Sequence, residues 1–372
     1  MTTGLRVVQI LPALDGGGVE RGTLEVARAL VAAGHRSVVI SAGGRLVEPL
    51  LRAGSEHLSW PLGAKSPLVL RWVWPLRRWL QAQRIDILHA RSRLPAWVGW
   101  LAWRGMDPVT RPRFVTTVHG LYSVSRYSAV MTYGERVIAV SETVRDYILR
   151  HYPATDPARI RLIYRGVDPA EFPHGYRPGT DWLADWYGCY PQLRGARVLT
   201  LAGRLTRLKG HEDFIRLIAA LRGRGLAVHG LVVGGEDPRR RRYATQLREQ
   251  VRAAGLAEAI TFTGHRSDLK EIYAISDLVL SLSSKPESFG RTVLEALALG
   301  VPVLGYAHGG VGEILARLFP AGAVTAGDES GLVERAAALL ADPLRLPPVT
   351  AFRLQDMLDQ TLELYQALCA RP

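Results

Sequence analysis

The sequence has 372 residues, 48% hydrophobic and 22% charged, with a formal net charge of +13. That is enough chain for two domains with separate cores, and it excludes a disordered or collagen-like composition. Two cysteines, Cys189 and Cys369, exclude a disulfide framework and a cysteine metal cluster, and they point to a reducing compartment.

In chain order, apolar runs predict strands over 6–11, 37–41, 85–89, 114–118, 137–140 and 160–164. Helical patterns fall between them, as over 20–33, where Leu24, Ala27, Leu30 and Val31 share one face. The stretch 169–195 is rich in Pro, Gly and aromatic residues and reads as a linker. Strands resume over 198–202, 228–233, 260–263, 278–282, 302–305 and 323–325, with a helix over 292–299 and a final helix over 351–368. Alternation of this kind predicts an α/β fold with parallel sheets covered on both faces, divided here into 1–172 and 173–350 with 351–372 closing the chain. No apolar run approaches the roughly 20 residues of a membrane-spanning helix. The chain opens directly on a strand and turn where a secretory leader would carry a cleavage site, so a cytoplasmic location is expected.

The first chemistry-bearing piece is Asp15-Gly16-Gly17-Gly18, after a strand and before a helix. Such glycines let the backbone approach a phosphate and offer it amides, although the spacing is not that of a dinucleotide fingerprint. Next comes the segment 60–113, with ten Arg or Lys residues against only Asp86 and Asp107. It also holds seven of the nine tryptophans, as in Leu70-Arg71-Trp72-Val73-Trp74-Pro75-Leu76-Arg77-Arg78-Trp79. Three readings stand open for it: a membrane-surface face, a nucleic-acid face, or the core of two helices. Because 43 of the 47 basic residues are Arg, part of the charge reflects composition. The run Arg239-Arg240-Arg241-Arg242 reads as a solvated helix face. His119, in Thr116-Thr117-Val118-His119-Gly120, stands at a strand end, and His89 is a second candidate with an acceptor role.

In the second half, Gly203-Arg204-Leu205-Thr206-Arg207-Leu208-Lys209-Gly210 follows a strand and precedes a helix. Two fixed cations beside a helix start suit a diphosphate. The most informative stretch is Pro286-Glu287-Ser288-Phe289-Gly290-Arg291-Thr292-Val293-Leu294-Glu295. It places Glu287 at the carboxyl edge of the sheet, where open α/β sheets bind ligands, and Glu295 in the first turns of the following helix. Both glutamates could equally do no more than favour the helix dipole. Further on lie Ala307-His308-Gly309-Gly310-Val311-Gly312-Glu313 and, back at the first-half boundary, Arg165-Gly166-Val167-Asp168.

Taken together these motifs resemble the family 4 glycosyltransferases of the GT-B fold, over nearly the whole chain and most strongly from 198 to 313. The resemblance implies two Rossmann-like domains facing each other across a cleft, the N-terminal one for the acceptor and the C-terminal one for a nucleotide-sugar donor, with the last helix packed back on the first domain. It implies that Glu287 faces the donor sugar, that Glu295 holds the ribose, and that Arg204 and Lys209 clamp the diphosphate. Ser288, Phe289, Gly290, Thr292 and Val293 are carried over as donor contacts, and Gly17 and Gly18 as a loop reaching the donor phosphates. His119 matches a histidine near the anomeric centre, and Gly309-Gly310 a turn beneath the donor. Arg165 departs from the common Asn of an Asn-Gly-Val-Asp motif. The expectation is a retaining hexosyltransferase that needs no metal and no other cofactor. It would move sugar to a glycan or glycolipid acceptor of lipopolysaccharide or cell-surface polysaccharide synthesis, peripheral on the inner membrane face and without a nucleic-acid partner. The alternatives are a non-catalytic or epimerising sugar-nucleotide-binding protein of the same fold, or a basic nucleic-acid-binding protein.

Overall fold

A computed structural model describes residues 4–236 and 241–370, with the side chain of Arg241 also outside the description. The chain forms two compact units. One runs to Arg165 and resumes at Leu354; the other is Gly166–Arg353. The expected boundaries at 172 and 350 thus differ by a few residues, because Val167 bridges Arg353 within the second unit and ties both strands of the connection to it.

The first unit is built on a seven-stranded parallel sheet in the order β3-β2-β1-β4-β5-β6-β7. Its strands are β1 (Arg6–Ile10), β2 (Arg36–Ser41), β3 (Glu56–Ser59), β4 (Ile87–Ala90), β5 (Arg113–Val118), β6 (Arg136–Ala139) and β7 (Ile160–Leu162). Parallel strands are buried on both faces, and the period of two divides their side chains between two layers. Val8, Ile10, Leu88, Phe114 and Val137 join one cluster with Leu76, Leu80, Val98 and Trp103 from the helices Val73–Ala82 and Arg93–Arg104. Val7, Ile87, Val115 and Ile138 face the other way, onto Val26 and Leu30 of the helix Gly18–Ala32 and onto Met357, Leu364 and Tyr365 of the last helix, Leu354–Cys369. Strand β3 was not among the expected elements. It is an edge strand whose four residues are exposed or half-buried, so it carries no apolar run to announce it.

The second unit holds a six-stranded parallel sheet, β10-β9-β8-β11-β12-β13. These strands are β8 (Arg197–Ala202), β9 (Val228–Val233), β10 (Ile260–Gly264), β11 (Leu278–Ser281), β12 (Val303–Tyr306) and β13 (Ala323–Val324). The segment 169–195, expected as a linker, is part of this unit and contains a helix, Thr180–Cys189. Its aromatic residues sit at helical spacing: Trp182 stacks on Trp186 with ring centroids 5.0 Å apart, and Trp186 packs on Tyr190. Trp186 is buried. Composition suggested a linker, and the period of the tryptophans was the stronger signal.

Arg239 and Arg240 of the arginine run lie outside the described residues; Arg242 is exposed on the helix Arg241–Ala253. Of the seven tryptophans between 60 and 103, Trp103 is buried and Trp60, Trp72, Trp79, Trp97 and Trp100 pack partly buried on the first unit's core. Six of the seven therefore follow the core reading. Trp74 is the exception, 60% exposed beside Leu68 at 70% and Leu70 at 50%. Among the described residues no helix is long and apolar enough to cross a membrane.

Candidate functional site

In the second unit the chain winds outward in both directions from β8 and β11, so the loops leaving their carboxyl ends meet at the topological switch point. The loop after β8 carries Arg204 and Lys209, and the loop after β11 carries Glu287. Close backbone packing draws the loops together. Ser284 N donates to the Leu208 carbonyl at 2.9 Å. Gly210, in the left-handed region at φ 70°, lies so near Leu282 that a Cβ would overlap its carbonyl oxygen. Lys209 Nζ consequently donates to Glu287 Oε1 at 2.7 Å.

Glu287 is held from three further directions. The Ser283 hydroxyl donates to the same carboxyl oxygen. His308 Nε2 donates to the Ser283 carbonyl at 2.7 Å, placing the ring beside the carboxylate. Beneath, Gly310 N donates to the Glu287 carbonyl at 2.8 Å, and Gly309 bridges Glu287. Here the Gly309-Gly310 turn acts as a prop, since a Cβ on Gly310 would overlap the Phe289 backbone. Burial would raise the Glu287 carboxyl, but the Lys209 charge and hydrogen bond, with the Ser283 bond and His308, outweigh it and hold the group below its usual range. Ser283 and His308 were not singled out as site residues; serine after a strand is too common a signal, and their role comes from contacts made only in the fold.

Each of these loops, after β8 and after β11, leads into a helix start. Gly210 caps His211–Gly223 and Gly290, at φ 102°, caps Arg291–Ala298, and neither has a side chain to accept from the first-turn amides. Such ends favour anions. Arg204 is exposed and, among the described residues, its guanidinium makes no ion pair or hydrogen bond, so it is available to an incoming ligand. Ser288 and Thr292 are half-buried, whereas the side chains of Phe289 and Val293 belong to the core, Phe289 edge-on to Phe352. Those two can serve a ligand only through their backbone. Glu295 does not join the Lys209–Glu287 pair: it is buried, and Arg291 Nε one turn earlier donates to its Oε1 at 3.2 Å.

In the first unit, Gly17 and Gly18 are exposed at the start of the helix after β1, a switch-point strand of that sheet. His119 follows β5, with Arg165 Nη2 at 2.6 Å from its Nδ1. His89 cannot take the acceptor role considered for it. It is fully buried, and its two ring nitrogens engage the Tyr365 hydroxyl at 2.6 Å and the Thr117 hydroxyl at 2.7 Å. A polar residue inside a β-strand of a parallel sheet points into a covered layer, which is what removed it from the edge.

Cations and bare helix ends at the switch point of a doubly wound α/β sheet are an arrangement that favours an anionic ligand. The family profile described as Glycosyltransferase Family 4 matches residues 16–171, and that described as Glycosyl transferases group 1 matches 193–351. The chain belongs to this glycosyltransferase family, and its fold is GT-B. A glycosyltransferase crystal structure from Rickettsia africae is 28% identical, covering 99% of this chain and 100% of that one with a TM-score of 0.86. The Anabaena protein HepE, solved with UDP and glucose, is 19% identical over 98% of this chain and 100% of its own, with a TM-score of 0.82, and shares the fold. The D-inositol 3-phosphate glycosyltransferase of Rhodococcus opacus is 31% identical over 249 residues, 61% of this chain and 53% of the relative. The chain spans about half the length of the curated relatives it matches.

Proposed function

We propose that the protein transfers a sugar from a nucleotide-diphosphate sugar to a glycan or glycolipid acceptor, with retention of anomeric configuration and without a metal. The observation that carries this reading is the Lys209–Glu287 pair on the two switch-point loops, beside the exposed Arg204. An ammonium has three donors; one is given to Glu287, leaving two for phosphate oxygens. As the bond from the anomeric carbon to the diphosphate breaks, its electron pair goes to the leaving oxygen, and Lys209, Arg204 and the two helix starts stabilise the charge there. The acceptor hydroxyl attacks from the same face, and its proton passes to the leaving phosphate. Glu287 fixes Lys209 and borders the sugar, and Glu295 closes the site on the ribose side through the helix it rides on. HepE was solved with UDP and with UDP-glucose, which makes UDP the first nucleotide to try.

Thermal unfolding with EDTA present tests this against UDP, GDP, ADP, CMP and dTDP. A ligand at 100 times its dissociation constant stabilises by about 2.7 kcal/mol, several degrees in melting temperature. One responder in EDTA supports the metal-free donor site; a response that needs Mg²⁺ overturns metal independence, and none at all overturns the site. A product of inverted anomeric configuration, or a trapped covalent glycosyl-enzyme, would sink the same-face mechanism.

The acceptor proposed is anionic and of the lipopolysaccharide or surface-polysaccharide kind, met by a cytoplasmic enzyme resting on the inner membrane face. Relatives named for D-inositol 3-phosphate point to an anionic acceptor. Between Glu56 and Glu135 the only carboxylates are Asp86 and Asp107. Asp86 is taken by Arg6, and Asp107 accepts from Val109 N and the Thr110 hydroxyl. The same stretch exposes Leu68, Leu70 and Trp74 with Lys65, Arg71 and Arg78 among them, apolar side chains that can enter a headgroup layer and cations that can meet anionic lipid. Leu68→Ser with Trp74→Ser is expected to weaken binding to phosphatidylglycerol vesicles about tenfold or more, read by co-sedimentation. Binding to oligonucleotides in preference to vesicles would overturn this assignment.

A further inference from the structure

The guanidinium of Arg165 occupies a place that three parts of the first unit have been shaped to admit. Its residue follows β7 by three positions and is 8% exposed. Nη2 reaches His119 Nδ1 at 2.6 Å, while Nη1 lies 3.5 Å from Met357 Sδ on the last helix. On the other side is Gly22, inside the helix Gly18–Ala32, where an added Cβ would stand 2.5 Å from Nη1. Glycine inside a helix is destabilising relative to alanine. An alanine there would push the guanidinium aside.

A guanidinium can only donate. The nitrogen it meets on His119 must therefore accept and carry no proton, and the proton of the ring lies on Nε2. We propose that Arg165 is a positioning residue that fixes His119 as the neutral Nε2–H tautomer, so that the buried Nε2 carries the ring's proton and the histidine brings no positive charge to the carboxyl edge of β5. The inference rests on His119 belonging to the site of the proposed transferase. It assigns a task to the side chain that replaces the family's usual Asn. Protonating Nδ1 would set an N–H against the N–H groups of Arg165, so the contact opposes the imidazolium. The surroundings act in the same direction: burial first, then the charges of Arg165 and Arg91 and the neighbouring His89, hold His119 well below the ordinary histidine range. Other titratable groups nearby include Tyr122, whose hydroxyl accepts from His119 N at 3.3 Å, and Tyr365 and Glu25, which act on Arg91.

The test is the ¹⁵N spectrum of imidazole-labelled protein, followed from about pH 8 to about pH 5, since a bare and a protonated ring nitrogen resonate far apart. Wild type is expected to show a bare Nδ1 and a protonated Nε2 for His119 throughout. In Arg165→Met the ring should exchange between tautomers and titrate at higher pH; Arg165→Lys, which keeps a donor and a charge, should restore the wild-type pattern in part. Gly22→Ala displaces the guanidinium with Arg165 still in the chain and is expected to reproduce the Arg165→Met spectrum, which covers the case in which one variant fails to fold. A proton on Nδ1 in the wild type, or an unchanged spectrum in both variants, would overturn the proposal. None of these readings uses a substrate, so they stand apart from the nucleotide titrations that test the transferase itself. With activity in hand, the acid limb of kcat should move to higher pH in Arg165→Met, which a merely structural role would not produce.

Discussion

Replacing Lys209 by alanine is expected to weaken nucleotide-diphosphate binding about 10- to 100-fold, the loss of one or two charge-assisted hydrogen bonds. Calorimetric titration with the responding nucleotide would measure it. A second consequence separates this substitution from an ordinary surface change. Lys209 and Glu287 are each less than a third exposed, and the pair sits inside a network with Ser283 and His308. Without Lys209 the Glu287 carboxylate keeps its burial and loses the main group that offsets it, so its pKa must rise. In the wild type that pKa is depressed. The pair's contribution to stability is therefore present above the unfolded-state value and lost as pH falls through the folded one. Wild type should be more stable than Glu287→Gln at neutral pH, by about 1 kcal/mol for a partly exposed pair, and the gap should close as pH falls below the carboxylate range. Denaturant melts of both proteins at a series of pH values check this. A gap that persists in acid would mean that shape, and not charge, holds the loop.

Much of this site was legible in the chain because its determinants are local. A strand, a glycine and two cations at fixed spacing predict where Arg204 and Lys209 emerge, and Glu287 follows its strand in the same way. What stayed hidden depends on partners far off in sequence. The bond between Lys209 and Glu287 spans 78 residues, and that between Arg165 and His119 spans 46. Neither has any local trace beyond the side chains themselves. His89 shows the reverse failure. Its residue type suggested chemistry, but the alternation of a covered strand sent it into the layer under the last helix, against Tyr365. Phe289 and Val293 repeat that lesson: both stand in the motif that the sequence marks as donor-binding, and both side chains belong to the core. The tryptophans of the helices Val73–Ala82 and Arg93–Arg104 divide by helical phase, a geometry that composition does not contain.

Gly210→Ala is expected to be among the most damaging single methyl groups in the second unit. Two penalties coincide there. A φ of 70° places the residue in the left-handed region, which costs a side-chain-bearing residue about 1–2 kcal/mol. The added Cβ would also overlap the Leu282 carbonyl, and that obstacle is backbone at the end of β11, not the tip of a flexible side chain. Relief requires the loop after β8 to move off the loop after β11. A loss of about 3 kcal/mol follows, roughly 6–12 °C in melting temperature for a unit of this size. The matching control is Gly225, at φ 80° with nothing within 4 Å of an added Cβ. Gly225→Ala meets only the first penalty and should lose about a third to two thirds as much. Movement at Gly210 also separates Lys209 from Glu287, because the Ser284–Leu208 bond and the left-handed turn are what bring them within 2.7 Å. Nucleotide affinity should then fall in Gly210→Ala at temperatures where the protein is still folded, while Gly225→Ala binds as wild type does. Equal melting losses in the two variants would show that conformation alone sets the penalty, and that the loops are free to part without cost to the fold. Normal nucleotide binding in a folded Gly210→Ala would show that the clamp does not depend on the contact between the loops.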